Sequence, residues 1–464
     1  MHFFEVMSYF AMSKVITLYL TTNVGFSDIN SGKWVSYYTL FIVIFVFAVG
    51  AICDVVGIKK TLMAGLSFLF VGYAGMTVAP IYLSPETAEW VVKLCLILLA
   101  LGMATMSPPL KSALRRFTTK KNRATGFNMY YLIMNIGAVI AYVCLINFCR
   151  EYFGITDGNL WLMGFAAFSI ILAIVFMSLI NEDNFAEESE RMEEVQTQRP
   201  LAIFKEVWKE RPFQKLLLFL FLTIGVKLVF TNEFLVMPKY YTRVMTEDFE
   251  LGTISAINPL IIVFGLIAII PIMNKYSTVK MLILGMTISA SSLFVICIPP
   301  QWIMALPGIN GISQAYMFAV IIQIVLFAIG EIIFNPRFTE YTASVAPKDK
   351  VASYMSLAAL PMFIAKPING FISGVLITYF CYDGIRAKID TANISYSESP
   401  EFMWIIYAIL AALSPLAVIV MKNFFEDHSS SSKKEEEHSP DLSSLSPGEL
   451  DSETETPALV ESNS

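Results

Sequence analysis

The sequence is poor in charge: Asp, Glu, Lys and Arg make up only 15% of its 464 residues. A water-soluble surface needs roughly 25%, so a soluble enzyme or soluble binding module of this length is excluded. Histidine is scarcer still, with three residues, His2, His428 and His438, two of them near the C-terminus. That supply is too small for a histidine metal centre. The sequence also has no G-x-x-x-x-G-K-[ST] phosphate loop through which ATP would drive a pump. Its six cysteines, Cys53, Cys95, Cys144, Cys149, Cys297 and Cys381, are scattered without a C-x-x-C spacing, which argues against a redox pair or metal knuckle. A net charge of −6 offers no basic surface for nucleic acid. No enzyme activity, cofactor or metal is expected.

What the chain does have is apolar surface: 56% hydrophobic residues, with 36 Phe and 23 Met. About 20 apolar residues cross the hydrocarbon core as a helix. On that ruler twelve spans are expected, at 3–22, 35–53, 61–82, 91–110, 126–149, 160–180, 214–237, 252–273, 281–299, 315–334, 351–379 and 403–421. The fold class is therefore an all-α polytopic membrane protein. The first apolar run carries Glu5 and Lys14, unlike the uncharged core of a signal peptide, and is expected to be retained.

Loop charges orient the spans. With the N-terminus in the cytoplasm, 22 of the 32 Lys and Arg fall on the cytoplasmic side and 7 on the other, while Lys14, Lys227 and Lys366 lie within spans. Both termini are thus expected inside, in a plasma, bacterial inner or organellar membrane. The polar stretch after residue 180 ends in LAIFKEVWKERPF, whose Leu201, Phe204, Val207 and Trp208 form one helical stripe suited to the interface. From Lys422 on, 3 basic and 11 acidic residues in a Ser-rich context read as disorder. The expected organisation is a six-helix bundle at 1–180, a cytoplasmic linker at 181–213, a second bundle at 214–421 and an acidic tail at 422–464.

The halves resemble each other. Asp54 to Gly65 (DVVGIKKTLMAG) and Asn274 to Gly285 (NKYSTVKMLILG) share Lys60/Lys280, Leu62/Leu282 and Gly65/Gly285 at a constant offset. Two parallel six-span repeats around a central cavity are the plan of many alternating-access carriers.

Gly50 to Leu62 (GAICDVVGIKKTL) resembles the loop 2–3 motif of the major facilitator superfamily, G-x-x-x-D-R-x-G-R-[RK]-[RK], through Gly50, Asp54, Gly57, Lys59 and Lys60. An acid at the start of a tight Gly turn suits a conformational latch, which makes Asp54 a candidate gating residue. Further segments resemble the proton-dependent oligopeptide transporter family within it: Glu5 to Asp28, Gly126 to Ala141 with its Y-Y-x-x-x-N-x-G-A, Ser255 to Val263 with its Asn-Pro, and Gly330 to Leu357 with its Gly-Glu pair. The resemblance implies proton-coupled symport of small peptides by a monomer in the bilayer. It departs at the first span, where E-x-x-E-R is represented by His2, Glu5 and Val6, and at the fourth, where Lys-Pro appears as Ser107-Pro108 with Lys111 a turn later.

Charges inside a span usually face a cavity or a partner. The resemblance makes Glu331 the acid that receives a substrate amino group. Glu5 is the retained first-span acid, a candidate for proton binding, and Glu233 matches an acid that pairs across to the first span. Lys14 is the natural partner for Glu233, which would form a gate, and Lys227 shares the seventh span. Lys366 precedes Pro367, and either receives a carboxylate or pairs with Glu331. Tyr9, Tyr130 and Tyr131 offer hydroxyls and ring faces to a solute. Asn135 and Asn258 are amides that serve either substrate contact or helix adhesion. The rival readings are a facilitator carrier of an organic anion, amino acid or nucleoside, handled by Lys14, Lys111 and Lys366, and a transporter-derived receptor signalling through the acidic tail.

The topology has a direct test. On a cysteine-free background, Ser395→Cys should be labelled by an impermeant maleimide applied outside intact cells, and a tail cysteine should be protected. The reverse pattern overturns the orientation.

Overall fold

The computed structural model describes residues 1–425 except 107, 111–112, 115–122, 181–210, 246–249, 274 and 346–359; these and 426–464 lie outside the described residues. The linker and tail expectations, Lys111 and Ser107 fall there. Four long helices come first: α1 (His2–Thr22), α2 (Asp28–Val56), α3 (Ile58–Tyr82) and α4 (Pro85–Ala104). The fifth span is α5 (Arg123–Ile140), a π-turn at Ala141–Ile146 and α6 (Asn147–Phe153), and the sixth is α7 (Ile155–Ser178). The second half runs through α8 (Arg211–Leu222), α9 (Ile224–Leu235), α10 (Met237–Tyr240), α11 (Leu251–Met273), α12 (Thr278–Val295), α13 (Ile312–Val345), α14 (Leu360–Phe380), α15 (Ile385–Asp390) and α16 (Pro400–Val420).

Ten of the described helices are long and apolar enough to cross a membrane; α8 with α9 makes an eleventh across a 45° bend, and α11 is apolar over Leu251–Gly265. The twelve expected spans all correspond to helices. Most run beyond their expected ends, α2 and α13 the furthest. α2 starts at Asp28, where the Ser27 hydroxyl accepts from the Asn30 N–H (3.2 Å). α13 continues to Val345 through Pro336. Apolar length marks only the stretch in hydrocarbon, and a helix extends past it wherever its end groups are satisfied.

Packing within the two halves follows one pattern. α1 packs on α5 and α7, α2 on α4, and α3 on α4 and α7; in the second half α9 packs on α14 and α16, α11 on α13, and α12 on α13 and α16. The Gly65/Gly285 match marks equivalent seams of this repeat. A Cβ on Gly65 would lie 1.6 Å from the Thr105 hydroxyl of α4's end, and one on Gly285 would lie 2.9 Å from the Phe334 nitrogen of α13. Each half needs a side-chain-free position there for its third and fourth spans to touch.

The bend between α8 and α9 has a side-chain cause. The Ser414 hydroxyl on α16 accepts from the Val226 N–H (3.0 Å), and Gly225 sits against the Leu410 carbonyl. A hydroxyl from the neighbouring helix thus takes the place of part of the broken backbone ladder.

The halves meet through α2 against α14, α5 and its π-turn against α11, and α1 against α9. We call the face with His2 and Gly57 the near face, and the face with Thr22, Asp28 and Gly384 the far face. At the far end of α2, a Cβ on Gly32 would lie 2.3 Å from the Gly370 carbonyl, and the Ser36 hydroxyl donates to the Pro367 carbonyl (2.8 Å). Asp28 is gripped from the other half by Lys239 (2.5 Å) and Arg243 (2.9 Å), and Arg243 also holds Asp383 (2.6 Å). In this conformation the far face is shut.

Gly32→Leu should wedge α2 from α14, since overpacking a close seam costs about 1–3 kcal/mol. Spin labels at Asn30 and Tyr379 should report a longer mean distance across the far face; an unchanged distance would contradict this role for the seam.

Candidate functional site

Between the halves lies a cavity of about 260 Å³. The first half supplies Tyr9, Lys14, Tyr131 and Asn135; the second supplies Glu233, Asn258, Glu331, Asn335 and Lys366. Helical geometry selects these faces. Tyr9 and Phe10 of α1 point inward together and meet edge to face at 5.4 Å. Tyr130 and Tyr131 are about 100° apart on α5, so only Tyr131 reaches the cavity. Tyr130 lines a separate apolar cavity near Met1 and stacks on the His2 ring at 4.1 Å, which corrects its expected place beside the solute.

Glu331 is held by amides. Asn335, one turn on along α13, donates to its Oε1 (3.0 Å), and Asn258 of α11 donates to its Oε2 (3.4 Å). The other face of Asn335 accepts from Lys227 (3.2 Å), whose ammonium lies over the Phe230, Phe334 and Phe338 rings at 4.3, 4.7 and 5.4 Å. Lys227 is thus not itself a wall of the cavity. It balances Glu331 through one amide, with three ring faces replacing its lost hydration. Sequence reasoning missed Asn335, although its place four residues after Glu331 is the helical spacing that puts both on one face.

Lys14 and Glu233 make the second charged unit. The ammonium lies 2.7 Å from the Glu233 carbonyl and 3.4 Å from its Oε2, crossing from α1 to α9. Both residues are buried, and Glu233 Oε1 has no hydrogen-bond partner among the described residues. Lys366 stands differently. Its ammonium donates to the Tyr9 hydroxyl (3.1 Å), and among the described residues it has no acidic partner. Of the two alternatives for Lys366, direct pairing with Glu331 is absent from this conformation.

Glu5 lies outside the cavity. Its carboxylate meets His2 Nδ1 at 3.2 Å near the start of α1. Asp54 occupies the last turn of α2 before Gly57, whose φ of +94° makes the tight turn into α3; the Asp54 side chain is outside the described residues. Asn135 lines the cavity and donates to the Tyr131 carbonyl (2.9 Å).

The arrangement is that of a membrane carrier: a largely apolar chamber set with charged and amide groups, walled by both halves and shut at one face. The family model of the Major Facilitator Superfamily matches residues 1–360, and the chain belongs to that superfamily. Its fold is similar to solved POT family transporters. One in complex with 5-aminolevulinic acid has a TM-score of 0.71 at 17% identity, covering 91% of this chain and 95% of that one. Another, with a thioalcohol conjugated peptide, has a TM-score of 0.70 at 16% identity and covers 91% and 95%. A peptide transporter POT in complex with sulfate gives 0.68 at 14% identity, covering 91% and 93%. No curated protein matches the sequence.

Breaking the Lys14–Glu233 pair from one side leaves a buried charge uncompensated. Lys14→Met should lower unfolding stability by about 3–5 kcal/mol, whereas Lys14→Met with Glu233→Leu should recover most of it. Thermal unfolding in detergent measures both, and equal losses in the single and double variants would show that the pair carries no coupling.

Proposed function

We propose that the protein is a secondary active transporter that moves small zwitterionic solutes of dipeptide size by alternating access, coupled to protons. The observation that carries the reading is the placement of Glu331 and Lys366 on the wall of one chamber. A solute ammonium approaches Glu331 and its carboxylate approaches Lys366, while Asn135, Asn258 and the Tyr hydroxyls serve the amide between them. The first half lacks the family's Arg after Glu5, and Lys366 of the second half takes over the cationic role. Drug-sized ligands fill roughly 300–1,000 Å³, so about 260 Å³ favours a dipeptide over longer chains. The ligands named for the similar structures, 5-aminolevulinic acid and a conjugated peptide, agree with that chemistry.

Coupling follows from Glu233. A proton arriving at its Oε1, which has no partner among the described residues, cancels the carboxylate charge facing Lys14 and so weakens the hold of α1 on α9. Glu5 with His2 is a second proton-accepting pair, nearer the entry of α1. The near face is cytoplasmic in this reading, on the 22 to 7 division of basic residues, which makes the shut far face the outer gate. Two bundles, 1–180 and 214–421, rock about the chamber, joined by the 181–213 linker. The chamber is complete within one chain, which supports a monomeric unit.

Glu331→Gln keeps the shape and removes the charge. Uptake of labelled dialanine into proteoliposomes with an inward proton gradient should fall at least about 30-fold, from the loss of roughly 2–5 kcal/mol of ion-pair energy. Saturable wild-type uptake by Glu331→Gln would sink the zwitterion reading. A mild effect there, with severe loss of organic-anion uptake in Lys366→Gln, would favour an anion carrier instead.

A further inference from the structure

Two spaces meet at Lys366. Beside the chamber lies a pocket of about 40 Å³, and Tyr9, Phe234 and Lys366 line both. Its other walls come from both halves and include Ile16 of α1, Val35 and Thr39 of α2, and Thr231 and Leu235 of α9. Among the described residues, α2 gives no wall to the chamber itself. Yet α2 is the helix that shuts the far face, through Asp28 and through the Gly32 approach to Gly370 of α14. The pocket runs up to that seam. Val35 precedes Ser36, whose hydroxyl donates to the Pro367 carbonyl (2.8 Å), and Pro367 follows Lys366. A group in this pocket therefore touches the far gate, which the chamber walls alone do not.

The wall chemistry selects what enters. The hydroxyls of Ser13, Thr39 and Thr231 donate to carbonyls of their own helices, those of Tyr9, Val35 and Leu228. Met12, Ile16, Val35 and Leu235 add aliphatic surface, and Lys366 is the one charged residue in the described wall. The volume has room for about three water-sized groups. That suits the side chain of alanine or valine and falls well short of a phenylalanine ring.

A solute carboxylate on Lys366 stands at the mouth of this pocket, and the side chain nearest to it belongs to the carboxyl-terminal residue. We propose that the pocket receives that side chain and gauges its size against closure of the far gate. A small aliphatic side chain fits while α2 is seated on α14, and the solute is carried. A larger one holds α2 away from α14, so the solute binds from the outside and is not carried. A ligand shifts the gate only by its differential fit to the two states, and the pocket supplies that difference. The subsite rests on the zwitterion reading above.

The two orders of one dipeptide separate its ends. In proteoliposomes with an inward proton gradient, phenylalanylalanine should be accumulated, since Phe327, one turn before Glu331, gives its ring an apolar wall in the chamber. Alanylphenylalanine should compete with dialanine without being accumulated, and should lengthen the mean Asn30–Tyr379 spin-label distance. Ile16→Ala enlarges the pocket and leaves the chamber walls as they are. It should raise the ratio of alanylleucine to dialanine uptake at least tenfold, the scale on which a pocket discriminates one or two methylenes, with the leucylalanine ratio unchanged. Val35→Ala makes the same test from α2 should the first variant fail to fold. If dialanine is carried but the two orders are accumulated alike, the subsite is overturned and the zwitterion reading stands. An unchanged ratio in the folded variants, or alanylphenylalanine bound with no change in distance, overturns it equally. If dialanine is neither bound nor carried, the zwitterion reading fails and the subsite with it.

Discussion

A charge inside hydrocarbon must be matched by an opposite charge or by an aromatic face, and the partner usually belongs to another helix. Nearly every functional feature of this chain descends from that constraint. Lys14 of the first half is matched by Glu233 of the second; Asp28 of the first is matched by Lys239 and Arg243 of the second. These pairs join the two bundles more specifically than apolar contact could, because lipid tails are as apolar as the helices and give no preference for one face over another. They are also reversible. An ion pair is broken by a proton or by a competing ligand charge, whereas a packed seam is not, so pairs between the halves suit a molecule that must open and close.

The seams within each half follow a different rule. The glycines at 65 and 285 let the third and fourth spans of each repeat approach to backbone contact, and no titratable group is involved there. Such seams suit bundles that move as single bodies, as the proposed alternating access requires. The Gly32–Gly370 approach, which does lie between the halves, sits beside the Asp28 cluster, so a close steric fit and an electrostatic grip shut the far face together.

Inside the chamber, compensation is unequal. Glu331 shares Lys227 through Asn335, and Lys14 has Glu233, whereas among the described residues Lys366 has no acid and meets Tyr9 through its hydroxyl and its ring at 5.8 Å. In the proposed reading a solute carboxylate supplies the partner that Lys366 lacks, and the solute ammonium meets Glu331, whose own cation is held one amide away.

Much of this was legible along the chain. Twelve apolar runs, the scarcity of charge and the internal repeat are one-dimensional signals, because spanning length and helix formation depend on local composition. Glu331, Glu233, Lys14 and Lys366 stood out for the same reason: a charge in an apolar run is conspicuous. Which charges meet was settled only in three dimensions. Lys366 turned to Tyr9 rather than Glu331, and Tyr130 turned to His2 while its neighbour Tyr131 faced the chamber. Asp28, Lys239 and Arg243 read as unremarkable loop or helix-end charges until packing drew them into one cluster. Asn335 was marked only by its spacing from Glu331, and an amide is cheap or costly only according to what surrounds it. Local composition determines that the chain crosses the membrane twelve times; the rotation of each helix about its axis, set by packing against its neighbours, decides what the chamber holds.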